Sequence, residues 1–292
     1  MRLREMQKII SQANIEEGKL VSVQSGMSNI NNFKKLLSIV GNLPIFDDEI
    51  KYIYESPLYE TSSDSMQISS DSVRREIFRR ANHIYFSTIS LVRLFGNMID
   101  ELNDETISIK IRESSDFDII IKDLEKIQSC ISQIINHPEI GGKLELNSWE
   151  YGSKWMNLYL GSILAVSIVA SAAWSGAVVN KKIQEGRILS EYARGLSIKN
   201  EAMEEIRIKQ EEAITRLINE EAKRIQVEFY NNDNNNEDLE RLKYSIKMFS
   251  ELIENGTEVH PALTAPETVQ NLFPDFAKLD TITSKIKLLS DK

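Results

Sequence analysis

The sequence predicts a mainly α-helical chain with a small β-α-β-β unit, one central apolar helix of transmembrane character, and a long charged helix behind it. Three observations lead there. Apolar residues recur at helical spacing along most of the 292 residues. The run ISIKIR alternates Ile107, Ile109 and Ile111 with polar residues, the two-residue period of a half-buried strand. Between Lys154 and Lys181 lie 26 residues without a charge, the last 20 of which, GSILAVSIVASAAWSGAVVN, are apolar or small.

In chain order, residues 1–104 form a helical N-terminal region. Phe33, Leu36, Leu37 and Val40 lie on one helical face before the stop at Gly41, Asn42 and Pro44. ETSSDSMQISSDS, 60–72, is a polar loop that ends in a cap for a helix starting near Val73. That helix carries Arg74, Arg75, Arg79 and Arg80 beside Ile77 and Phe78, a pattern that can hold anionic lipid headgroups; an ordinary solvated helix face is the alternative. Residues 105–160 make the β-α-β-β unit. After the Ile107 strand, Ile120, Leu124, Ile127, Ile131 and Ile134 mark an amphipathic helix, and Ser114-Ser115-Asp116 can cap its free N–H groups. His137-Pro138 and Gly141-Gly142 end it, and two strands follow around a turn at Tyr151-Gly152-Ser153.

Residues 161–180 are the apolar segment, and 181–230 the long charged helix, on which Leu189, Tyr192, Leu196, Met203 and Ile206 form a heptad-like assembly stripe. NNDNNNED, 231–238, is a polar linker, and 239–292 a helical C-terminal region with an irregular stretch containing Pro261, Pro266 and Pro274 and a short helix near Thr281 to Leu289.

Composition and motif searches narrow the function. A net charge of -9 speaks against nucleic acid as a partner, since that affinity comes largely from Lys and Arg displacing phosphate counterions. The single Cys130 excludes an intrachain disulfide framework and a cysteine-built zinc site, and its apolar helix points to an inert buried thiol. No phosphate-cradling glycine loop, nucleophile elbow or metal-spaced histidine set occurs, and His83, His137 and His260 are far apart in sequence. No catalytic, cofactor or metal residue is therefore nominated, and the expectation is a noncatalytic protein without cofactor. MRLREMQKIISQANIEEGKL lacks a secretory h-region, so the soluble parts are expected in the cytoplasm.

The apolar segment carries the functional expectation. About 20 apolar residues suffice for a helix to cross a ~30 Å hydrocarbon core. Trp155, Tyr159 and Trp174 are candidate aromatic anchors at the interfaces. Lys181, Lys182 and Arg187 favour a cytosolic C-terminal side, which would export the first 150 residues without a signal. Ser167, Ser171 and Ser175 repeat every four residues, with Ala172 and Gly176, and Ala173 and Ala177, beside them. Small residues at that spacing let helix backbones approach closely, which predicts self-association, or in a ring of helices a serine-lined lumen. The expected function is a membrane-associated oligomerising protein, in the manner of a membrane-perturbing toxin or bacterial defence effector, with membrane lipid, further copies of itself and an unidentified protein as partners. The alternative is a soluble helical scaffold or regulatory protein with the apolar helix buried.

Overall fold

The computed structural model describes residues 3–13, 15–98, 102–150, 154–195, 200–230, 235–262 and 265–286. The expected turn at 151–153, Leu196, Leu263 and residues 231–234 of the polar linker lie outside these. The chain divides into two compact units, Met1–Glu101 and Leu102–Lys292. It is mostly helical with small antiparallel sheets.

The first unit contains α1 (Leu3–Ser11), β1 (Val21–Val23), β2 (Gly26–Ser28), α2 (Ile30–Val40), α3 (Asp47–Tyr54), α4 (Pro57–Glu60), β3 (Ser65–Gln67) and α5 (Asp71–Met98). The helical face read from the sequence is the buried one: Phe33, Leu36, Leu37 and Val40 join Phe46, Ile53, Leu58, Ile77 and Ile84 in one core. Sequence periodicity missed the three-stranded sheet β1-β2-β3, whose third strand lies inside the expected loop. Its strands are three residues long, too short to show a two-residue period. Gly26 is required there, because a Cβ would come within 2.0 Å of the Met66 carbonyl oxygen on the adjacent strand.

The second unit contains β4 (Thr106–Lys110), α6 (Phe117–Ile135), β5 (Glu145–Trp149), β6 (Trp155–Tyr159), α7 (Ile163–Gly195), α8 (Asn200–Phe229), α9 (Asn236–Glu254), β7 (Glu258–Pro261) and α10 (Glu267–Gln270), followed by a 3-10 stretch, Phe276–Thr281. The β-α-β-β order is present as read. Asp116 caps α6, its carboxylate accepting from the backbone N–H of Asp118 at 2.9 Å and of Ile119 at 3.4 Å. The antiparallel sheet has the order β5-β6-β4-β7. Its last strand comes from the proline-bearing stretch read as irregular, and Pro261 is tolerated because β7 is an edge strand. Ile107, Ile109, Met156, Leu158 and Val259 place one sheet face in the same core as Ile127, Ile131 and Ile134 of α6. The expected terminal helix near Thr281 begins instead as the end of the 3-10 stretch; residues 282–286 carry no regular structure, and 287–289 lie outside the described residues.

The largest correction concerns the boundary at 180. The apolar segment and the first part of the charged region are one helix, α7, and the charged region from Asn200 belongs to a second helix, α8. Paired positions show that the two run antiparallel: Ser175 meets Glu221, and Gly186 meets Gln210. No proline marks the break near 196, and Gly195 with Ser197 beyond it is a weaker stop signal that periodicity alone overrode, reading one helix across it.

Candidate functional site

The apolar half of α7 is the element on which any function was expected to turn, and its surroundings define the candidate site. Gly161 makes the turn into it from β6 at φ 82°, with a Cβ there falling 2.9 Å from the Lys143 nitrogen. Ser162 then caps the helix, its Oγ accepting from the Ala165 N–H at 3.0 Å and donating to the Ile140 carbonyl at 3.0 Å. From there α7 packs against α6, α8, α9, β7 and the 3-10 stretch. Val166, Ile168, Val169 and Val178 are buried within the unit, while Ile163 and Leu164 in the first turn are exposed.

The small residues serve contacts inside this chain. Ala172, Ala173 and Ser171 are buried, and Gly176 lets α9 approach so closely that a Cβ would lie 2.7 Å from the Phe249 Cβ and 3.0 Å from the Ser250 nitrogen. Ala177 and Val178 form a satellite cluster with Ile253 and Ile282, against which Trp174, Phe276 and Leu279 pack. The close approach expected between copies of the helix thus occurs between α7 and α9 of one chain. Ser167 is half-buried and donates to the Ile163 carbonyl at 2.9 Å, the backward bond a helical serine makes to its own backbone. A lumen lined by all three serines is not what they face in this fold.

Ser175 reaches a polar group that sequence reasoning did not nominate. Its Oγ donates to Glu221 Oε2 at 2.8 Å. Glu221 is completely buried, and it also accepts from Arg224 Nε at 3.1 Å and from Ser284 Oγ. Arg224 in turn donates to Ser175 Oγ at 3.2 Å and to Glu228 at 2.7 Å. A carboxylate from α8 is therefore held by hydroxyls from α7 and the C-terminal segment and by a guanidinium of its own helix. A signal for it existed. Leu217, Glu221 and Ile225 succeed one another at four-residue spacing, so a charge interrupts an apolar stripe opposite a serine-bearing helix.

The C-terminal segment is fastened over the same region. Trp174 Nε1 donates to the Thr283 carbonyl at 2.9 Å, Lys181 Nζ to the Ile282 carbonyl at 3.0 Å, and the Lys285 ammonium lies 3.7 Å from the centre of the Trp174 ring. Burial, with Arg224 nearby, pushes the Lys285 ammonium below its ordinary pKa.

Other nominated residues are placed differently from their expected roles. Trp155 and Tyr159, expected as membrane anchors, lie on β6, paired with β4 and β5. The Trp155 ring sits 5.0 Å from that of His260, and the Tyr159 phenol, hydrogen-bonded to Glu105, is pushed above its ordinary pKa. The four arginines of α5 face acids of their own helix: Arg74 and Arg75 pair with Asp71, and Arg79 and Arg80 each lie 2.7 Å from Glu76. The Arg79 and Arg80 guanidiniums hold the Glu76 carboxyl down to about 2, so these cations are paired within their own helix. Of the assembly stripe, Leu189 and Tyr192 are exposed on α7, and Met203 and Ile206 are half-buried on α8.

Chemistry-bearing side chains elsewhere have structural partners. Cys130 is fully buried, and desolvation pushes its thiol far above the ordinary range. His83 meets Glu49 at 3.0 Å, His137 meets Asp238 at 3.5 Å, and His260 meets Glu258 at 2.9 Å. Burial raises the Glu258 carboxyl, but hydrogen bonds from Lys110 and His260 outweigh it and leave the pKa below normal. Among the described residues, no three His, Cys, Asp or Glu side chains converge as a metal site would require.

No family model matches the chain, and no solved structure matches it. Over 291 residues it is 25% identical to a protein of Bacillus subtilis (strain 168) that bears the name uncharacterized protein YqaP, covering 94% of this chain and 93% of that protein. The likeness extends over nearly the whole of both chains, and the printed name carries no activity.

Proposed function

We propose that this chain is a noncatalytic helical scaffold or regulatory protein, soluble in its working form, that keeps its apolar helix inside its own fold and acts through contacts with other proteins. The observation that carries this reading is the buried Glu221. It projects from α8 against the apolar half of α7, bonded to Ser175 on one side and Ser284 on the other. Withdrawing α7 into a bilayer would strip Glu221 of the Ser175 hydroxyl, and a hydrogen bond to a charged group contributes about 1.5–3 kcal/mol. It would also uncover Ile131, Ile225, Ile246 and Phe249, which share a core with Val166, Ile168 and Val169.

A second reading has its own support. Helix α7 is long and apolar enough to cross a membrane by length and composition. Membrane association, and with it the toxin or defence-effector role, then requires release of α7 from the fold, and the first reading denies that release. Floating the full chain with phosphatidylcholine and phosphatidylglycerol vesicles, followed by carbonate extraction, separates the two. Recovery of the chain in the soluble fraction, without detergent, is the expected outcome; carbonate-resistant pelleting would overturn it in favour of insertion.

A further inference from the structure

The second half of α7 has two opposite faces. Toward α8 it presents Gly186, Ser190 and Ala193: Gln210 Nε2 donates to the Gly186 carbonyl at 3.2 Å, Ser190 Oγ donates to Gln210 Oε1 at 3.3 Å, and Ala193 is buried. About half a turn round the helix, Ile188 and Tyr192 stand 68% and 67% exposed, and Leu189, 55% exposed, lies on the flank between them and the α8-facing residues. Three large apolar side chains within five consecutive positions are thus left in water, on a helix whose opposite face is already satisfied.

We propose that this face pairs antiparallel with the same face of a second copy of the chain. Self-complementarity argues for that occupant. Ile188 and Tyr192 are one turn apart, so a two-fold axis beside Ser190 sets Ile188 of each copy against Tyr192 of the other. Charge agrees with the same operation. Arg187 and Glu191 lie on one flank of the stripe, also one turn apart, and the axis brings Arg187 of each copy alongside Glu191 of the other. Within its own chain Arg187 meets Glu254 of α9, and a guanidinium with several donors serves both carboxylates. The three apolar side chains leave on the order of 350 Å² uncovered per copy, and pairing hides at most about twice that, which is the area of a weak, concentration-dependent dimer. This inference goes beyond the reading above, because it concerns the exposed half of α7 and requires no bilayer.

Sedimentation equilibrium of the full chain, without detergent or lipid, from micromolar to hundred-micromolar concentration tests it. A mass twice that of the 33.4 kDa chain is expected. Tyr192→Glu and Ile188→Asp should each raise the dissociation constant at least about tenfold. Both sites are exposed, so the thermal transition of either variant should match the parent and exclude misfolding as the cause. Glu191→Arg should weaken pairing by setting like charges together, and adding Arg187→Glu to it should restore part of the loss. A chain that keeps its single mass throughout would overturn the proposal. So would a dimer indifferent to the two apolar substitutions, or a charge exchange that restores nothing.

Discussion

Ser175 and Ser190 belong to one unbroken helix, yet their settings have little in common. Ser175 is buried and bonds a buried carboxylate, with α9 so near that the next residue has to be glycine. Ser190 lies in a two-helix contact whose other side is water, with exposed Leu189 next to it in the chain and exposed Tyr192 two residues on. The first half of α7 is surrounded by α6, α8, α9, β7 and the 3-10 stretch, and these neighbours remove its apolar surface from solvent. The second half is close to α8, with Arg187 reaching Glu254 at the end of α9. Stability should therefore depend on the first half and barely on the second, although both have the same backbone geometry.

The strongest way to break this contrast is Glu221→Ala. It leaves Ser175 and Ser284 without their acceptor and Arg224 with Glu228 as its carboxylate partner. A loss of about 3 kcal/mol is expected, at the lower end of the range for breaking a buried pair because Arg224 keeps some access to water. Chemical denaturation followed by circular dichroism would measure it; a loss under about 1 kcal/mol would mean that the cluster does not hold α7 in place.

A glycine series along α7 sharpens the contrast by one chemical change made at three places. Gly176→Ala forces a methyl group against the Phe249 Cβ and the α9 backbone and should cost about 1–3 kcal/mol. At Gly186 the nearest atom to a new Cβ is Gln210 Oε1 at 3.2 Å, the end of a flexible side chain. There the gain in helix propensity, up to about 1 kcal/mol, should cancel most of the crowding. Gly195 has nothing within 4 Å, so its substitution should be neutral or slightly stabilising. Equal effects at all three positions would refute the idea that the two halves differ in packing.

The smallest effect is expected from Glu254→Gln, which removes the exposed partner of Arg187. Surface pairs contribute about 0–1 kcal/mol and fade as salt rises. The variant should therefore match the parent within about 0.5 kcal/mol in thermal melts at physiological ionic strength. A larger loss would make the second half of α7 part of the stabilising core after all.

Much of the architecture was legible because it rests on local chemistry. The alternation of Ile107, Ile109 and Ile111 located β4, and Asp116 ahead of an apolar stripe located the start of α6. Gly41 and Pro44 lie where α2 gives way to a short 3-10 turn. The three-residue strands of the first unit and β7 were not legible, because the pairing that makes them strands joins residues distant in sequence: Met27 with Met66, and Ile109 with Val259. The candidate site divides in the same way. Ser175 and Gly176 were identified as contact-making residues, but their partners, Glu221 and Phe249, are 46 and 73 positions away. The stripe of Leu217, Glu221 and Ile225 marks Glu221 rather than Glu220 as the inward one, but nothing in α8 by itself says which serine it meets.

By itself, the sequence determined that residues 161–180 would carry a helix of small and apolar residues shielded from water, since a helix satisfies its own backbone groups while its uncharged side chains leave solvent. It also determined that small residues on that helix would admit a close neighbour. Only the tertiary structure decided what does the shielding. A bilayer and a protein core both take apolar surface out of water, and a criterion of length and apolarity measures that transfer without identifying its destination. In this fold α6, α8 and α9 close round α7, and a carboxylate from α8 meets a serine hydroxyl there, pairings that join residues too distant in sequence for local chemistry to specify.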